Sequence, residues 1–151
     1  MIHSDSYLNA YQNAVNPITK PSLLVELSEH SNERVRSAVA ENPSTPADEL
    51  VKLSADSSSE VRQSVCDNPN TPPFVLELLA QDDCPDVRYS LAENSNVPAY
   101  ILRSLMQDEN CYVSHRAKAT LNRLQSAGRA FYQLPLSTRR EQWNDFGTGA
   151  L

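Results

Sequence analysis

Arg36, Arg62 and Arg88 stand 26 residues apart, and Asp56, Asp82 and Asp108 keep the same interval. A guanidinium presents its N–H donors in a planar fork that fits a carboxylate or a phosphate. Two chemistries follow. Asp56 precedes Arg62 by six residues and Asp82 precedes Arg88 by six, so each pair can meet, within or between units, as a structural ladder. Alternatively, the arginines can form a row that holds phosphate. A carboxylate at hand for each arginine favours the ladder, to which Arg36, Asp56, Arg62, Asp82 and Arg88 are assigned.

A second set keeps the interval but changes residue type. Glu60, Gln63 and Asp67 have as counterparts Arg34, Ser37 and Glu41, then Asp86, Tyr89 and Glu93, then Tyr112, His115 and Ala119. These positions fall off the apolar stripe marked by Val61 and Val65. They read as an acidic groove, formed by Glu41, Glu60, Gln63, Asp67, Asp86 and Glu93, with Tyr89, Tyr112 and His115 toward one end. Its expected occupant is a basic or Arg-containing peptide, for which Tyr and His are less charged anchors. A solvated charged face without a partner is the competing reading.

No other residues are spaced for chemistry. His3, His30 and His115 lack ligand spacing, and His30 replaces the recurring Asp at a surface position. Cys66, Cys84 and Cys111 are far apart and lack C-x-x-C spacing, which reads as free thiols, buried or half-buried, in a reducing compartment. Ser–His–Asp, glycine-rich phosphate-loop and H-E-x-x-H patterns are absent. The expectation is a protein without catalytic residues, metal or cofactor.

The elements that carry these residues follow from the same period. Val35, Val61, Val87 and Val113 recur, as do Asn16, Asn42, Asn68 and Asn94. So do Leu24, Leu50, Leu76 and Leu102, and Leu27, Leu53, Leu79 and Leu105. Each unit reads as two short helices. Asn42 ends one helix through its tolerance of the left-handed conformation, and Pro43 stops continuation. Thr45 is the expected N-cap of the next helix, with Pro46 in its first position and Asp48 in its first turn. That helix runs to about Ala55. After a link at Asp56 and Ser57, the second helix starts near Ser58, with Pro85 in the equivalent first turn of the next unit. Val61 and Val65 lie four apart on its buried face, as do Val35 with Val39 and Val87 with Leu91. Helices this short are marginal alone, so stacked units must supply the core.

The ends depart from the pattern. Residues 1–15 read as an N-terminal capping helix, with Tyr7, Leu8, Tyr11 and Val15 at helical spacing. Residues 16–128 are the repeat domain. Its last unit carries Val97 in place of Thr and Ser114 in place of Arg, and Gly128 can end its last helix. Residues 129–151 read as a tail, with three readings: a disordered end, a segment folded back over an end of the solenoid, or a motif whose Arg139, Arg140, Trp143 and Phe146 enter a neighbour's acidic groove and give self-association.

The segment from Val35 to Pro46, with Leu50, Leu53 and Asp56, resembles the leucine-rich repeat variant, a bacterial relative of HEAT repeats. The resemblance covers about residues 16–124. It implies an all-α, right-handed α-solenoid of about four 26-residue two-helix repeats, with one helix per unit 3₁₀ in some members. It also implies an interaction surface on the concave, second-helix layer. One member pairs such repeats with a Cys-ligated iron–sulfur cluster near the N-terminus; the first Cys here is Cys66, so that feature does not carry over.

The 151 residues suit one domain. The formal net charge of −6 argues against gripping a nucleic-acid backbone. No basic n-region with an apolar core opens the chain, and no apolar run reaches membrane-spanning length, so the expected location is the cytoplasm, away from membranes. The expected function is a non-enzymatic protein–protein interaction scaffold. A HEAT-like DNA glycosylase would need a basic concave surface and a catalytic carboxylate there, and a structural subunit of a larger assembly is a third possibility.

Overall fold

The computed structural model describes residues 2–126, with side chains from residue 7 onward. The 129–151 tail, Gly128 and the His3 side chain fall outside that description.

Proline and aspartate set the helix boundaries. The described residues form α1 (Ile2–Val15), α2 (Pro21–Leu27), α3 (Glu33–Glu41), α4 (Ala47–Leu53), α5 (Ser59–Asp67), α6 (Pro73–Leu79), α7 (Pro85–Glu93), α8 (Ala99–Leu105) and α9 (Cys111–Ser126). Pro21, Pro73 and Pro85 sit in the first turn of their helices, where no N–H is needed. Pro46, Pro72 and Pro98 stand one place earlier, as the N-cap residue. The recurring Asp serves the other helix of each unit. Asp56, Asp82 and Asp108 each accept a bond through Oδ1 from the N-cap N–H two residues on, at 2.8–2.9 Å. In the first unit the His30 Nδ1 does the same for the N–H of Asn32.

The chain is an α-solenoid. The first helices α2, α4, α6 and α8 alternate with the second helices α3, α5, α7 and α9. The closest packing is between successive second helices: α3 on α5, α5 on α7, α7 on α9. The first helices pack mainly on the flanking second helices. One continuous core results. Leu24, Val35, Val39, Leu50, Val61, Val65, Val87, Leu91, Leu102 and Ala117 are fully buried in it. Every helix is α, including the short first ones, so the 3₁₀ variant of the resemblance does not occur among the described residues.

Helix α1 packs on α2 and α3, the place a second helix would take. Its contact face differs from the expected one. Ala14, in phase with Ala40, Cys66 and Ala92, is fully buried, whereas Leu8, Tyr11 and Val15 are exposed. The position that approaches the next unit needs a small side chain, and Leu8 and Val15 lie roughly a quarter turn or more around the helix from it. Tyr7 does pack against the core, and it stacks on Tyr11 with ring centroids 6.1 Å apart.

Three local expectations need correction. The first helix of the second unit ends at Leu53, with Ser54 as its C-cap, not near Ala55. Asn42 is not left-handed: its φ of −69° and ψ of 124° are extended. That conformation turns its side chain onto the preceding unit, where Nδ2 donates to Ala14 O (2.7 Å) and Asn16 O (2.8 Å). Thr45 is not an N-cap. Its buried hydroxyl donates to Val39 O at 2.6 Å, a helix-end carbonyl that also accepts the Asn42 N–H. Thr19 and Thr71 do the same to Asn13 O and Val65 O. These bonds give each buried threonine hydroxyl a partner at the end of the preceding helix.

Candidate interaction face

All second helices run the same way, so their N-termini lie along one edge of the stack and their C-termini along the other. The arginine ladder occupies the N-terminal edge. Each guanidinium grips the aspartate of the following unit with two parallel bonds: Arg36 on Asp56 (2.6 and 2.9 Å), Arg62 on Asp82 (2.7 and 2.9 Å), Arg88 on Asp108 (2.7 and 3.0 Å). Nη1 then turns back to main-chain carbonyls of its own unit, Arg62 to Asp56 O and Arg88 to Asp82 O. The carboxylate partner is therefore twenty residues ahead of each arginine. The aspartate six residues behind supplies a carbonyl. Burial raises Asp56 and Asp82, but the guanidinium and an N–H outweigh it and hold both below the usual carboxylate value. For Asp108 the Arg88 bond is the largest effect, in the same direction. The arginines are thus committed to carboxylates. The ladder stops where its members change: His30 has Ala10 where an arginine would be, and Ser114 has Leu134 where an aspartate would be.

The groove residues sort into three rows across the second helices. Glu60, Asp86 and Tyr112 lie in the first turns of α5, α7 and α9, all exposed; Tyr112 is 75 % exposed. Gln63, Tyr89 and His115 form the middle row, the first two half-buried and His115 exposed. Glu41, Asp67 and Glu93 are the last residues of α3, α5 and α7 and are all exposed.

This last row is electrostatically unfavourable. A helix C-terminus carries partial negative charge and favours cations, yet none of these three helices has a basic residue in its last turn. The carboxylates also sense one another. Burial pushes the Asp67 carboxyl up, and the charges of Glu93 and Glu41 push it further. Glu41 accepts a bond from Ser64 Oγ, which also meets Ser37 Oγ at 2.7 Å.

The far end of the face differs from expectation. Arg116, not His115, dominates it. Its Nη2 lies 2.8 Å from Glu93 Oε2, and the guanidinium sits 5.8 Å from the Tyr89 ring centroid. Its Nε is buried with no hydrogen-bond partner. Arg123 donates to Ser95 Oγ and to Glu93 O, where helix-end charge favours a cation. The face therefore carries two arginines, Arg116 and Arg123, at its far end. Arg116 stands at the phase of Ser64 and Ser90, and that break in the series was the available signal.

Among the described residues no group of His, Cys, Asp or Glu is arranged to hold a metal ion. No described helix is long and apolar enough to cross a membrane. Cys66 is buried and Cys84 half-buried, but Cys111 is exposed at the start of α9, against the expectation for the thiols. Burial pushes the Cys66 thiol well above its ordinary value, which suits packing and not nucleophilic work.

No curated protein and no solved structure matches the chain. The family model of the leucine rich repeat variant matches residues 33–58, a span that holds α3 and α4. That family is a scaffold-type repeat family often involved in protein interaction. One full unit of this solenoid is thus similar to the leucine rich repeat variant, and its neighbours repeat that unit's register.

Proposed function

We propose that the chain is a non-enzymatic scaffold that binds a basic protein segment on the face of its second helices. The observation that carries this reading is the row Glu41, Asp67 and Glu93. Three carboxylates stand at the negative ends of three parallel helices, against one another and without basic residues in the same turns. Stability alone would select lysine or arginine there. A cationic partner relieves both repulsions. Arg116 displays the mode of binding within the chain, a guanidinium between a carboxylate and a tyrosine face.

The packing supports the choice of face. Second helices lie directly on one another, whereas the first helices pack mainly on second helices. A stack so built curves toward its closer-packed layer, and the concave layer is where solenoids present extended binding surfaces. Electrostatic complementarity there sets encounter rate and specificity more than raw affinity.

Affinity capture from the native host, followed by mass spectrometry, identifies partners. Glu60→Lys combined with Asp86→Lys reverses two exposed charges that make no ion pair among the described residues. A partner that this variant no longer retains supports the proposal; unchanged affinity of every captured partner removes the face from consideration.

A further inference from the structure

The three inter-unit junctions along the C-terminal edge are not alike. At the first, Asn42 Nδ2 donates to Ala14 O and Asn16 O, and Ser44 Oγ donates to Pro17 O at 2.6 Å. At the second, Asn68 Nδ2 donates to Ala40 O and Asn42 O, and Asn70 Nδ2 donates to Pro43 O at 2.6 Å. Each loop is thus sewn to the loop before it. At the third, Asn94 Nδ2 keeps one main-chain bond, to Cys66 O, and its other contact is Asp67 Oδ1 at 3.3 Å. Asn96, in phase with Ser44 and Asn70, makes no side-chain bond to the preceding loop among the described residues. Two changes of residue accompany this. Cys66 stands where Ala14, Ala40 and Ala92 are small, and Val97 stands where Thr19, Thr45 and Thr71 bind a helix end.

Where the sewing stops, a cleft of about 290 Å³ opens between the two loops. Its walls include Pro69, Leu76, Val97 and Pro98, and Asp67 and Asn94 stand among the polar residues that line it. Asp67 differs from its neighbours in the row. Glu93 has Arg116 and Glu41 has the Ser64 hydroxyl, whereas Asp67 accepts only the long bond from Asn94, and no cation pairs with it among the described residues. An apolar slot ending on an unneutralised carboxylate matches one class of side chain: a hydrocarbon stem with a cationic head.

We propose that this cleft takes a lysine or arginine side chain of the partner, the stem lying on Pro69 and Pro98 and the head on Asp67. The site rests on the proposed basic-segment reading and names where the segment is anchored. The cleft lies at the lower edge of the range for ligand pockets, which leaves room for a side chain of the partner. Neighbouring second helices lie about 10 Å apart, and three residues of a polyproline II chain span about 9 Å and bring the side chain back to the same side. A segment with a cation at every third residue therefore reaches Glu41 and Asp67 in turn. At the Glu93 end it meets Arg116, so Asp67 is the deepest point it can use.

The test is an NMR titration of the full chain at low salt. The probe is a glycine–serine peptide with arginine at every third position, and its citrulline counterpart is the neutral control. The arginine peptide is expected to shift the amide signals of Asp67, Asn94, Asn96 and Val97, and the citrulline peptide to leave them unmoved. Asp67→Asn keeps the shape and removes the charge. It is expected to weaken binding about fivefold, the loss of one charge-assisted contact reduced by solvent screening. Asp86→Asn, the same charge change on the same face outside the cleft, is expected to change it less than about twofold by loss of long-range attraction alone. Thermal unfolding of both variants checks the fold. Equal losses from the two variants, with no shifts around the cleft, overturn the cleft and leave the acidic face standing. Equal binding of the arginine and citrulline peptides overturns both.

Discussion

Replacing Arg62 by alanine tests how the units are joined. The side chain makes two charge-assisted bonds to Asp82 and two bonds to the carbonyls of Asp56 and Ser57. It is 16 % exposed and Asp82 is 9 % exposed. Alanine leaves Asp82 with the Cys84 N–H but without the bidentate guanidinium that outweighs the cost of its burial. Breaking a buried pair by removing one partner costs about 3–5 kcal/mol. The residual exposure of both groups places Arg62→Ala at the low end, about 3 kcal/mol. In a chain of this size that lowers Tm by roughly 6–12 °C. Urea unfolding of wild type, Arg62→Ala, Asp82→Ala and the double variant closes a thermodynamic cycle, with an expected coupling of about 2 kcal/mol. A loss below about 0.5 kcal/mol with coupling near zero would class the pair with ordinary surface ion pairs and refute the ladder as the joint between units.

Three further outcomes follow from the contacts between units. Asp56, Asp82 and Asp108 lie below their ordinary values, so the stability they contribute is present above about pH 4 and lost as pH falls through their folded values. Asp67 is raised and works the other way, its contribution present at low pH and lost as pH rises through its folded value. Urea midpoints between pH 7 and pH 2 should therefore fall steeply below about pH 4, and a flat profile would contradict the ladder. Asn68→Ala removes two bonds to carbonyls of the preceding unit and one to the Asn70 N–H, at a cost of about 2–3 kcal/mol. Ser44→Ala, on a part-exposed bond, should cost under about 1 kcal/mol in the same urea assay.

The repeat and its buried stripe were legible because a core position must recur. Val35, Val61 and Val87 pack against the same neighbours in every unit and leave a period anyone can count. The polar joints were harder to read. Asn42 and Thr45 stand beside proline at a helix boundary, where a local cap and a bond elsewhere use the same atoms at the same spacing. Only the observed extended backbone of Asn42 shows that its amide reaches the previous unit. The ladder was legible in its members but not in its pairing, since a spacing of six cannot show that the carboxylate comes from the next unit. On the second-helix face, the exposure of Glu60, Asp67 and Asp86 followed from the stripe they avoid. Arg116 was missed because it breaks a serine series instead of continuing one. Spacing alone also treats Glu60 and Asp67 alike, although they lie at opposite ends of α5, where the helix dipole has opposite sign.

Hydrogen–deuterium exchange of the chain, alone and saturated with a captured basic partner, tests the proposed face most directly. Added protection is predicted in the second helices, residues 33–41, 59–67 and 85–93, strongest in the last turns that carry Glu41, Asp67 and Glu93. Protection confined to the first helices, residues 21–27, 47–53 and 73–79, would contradict it.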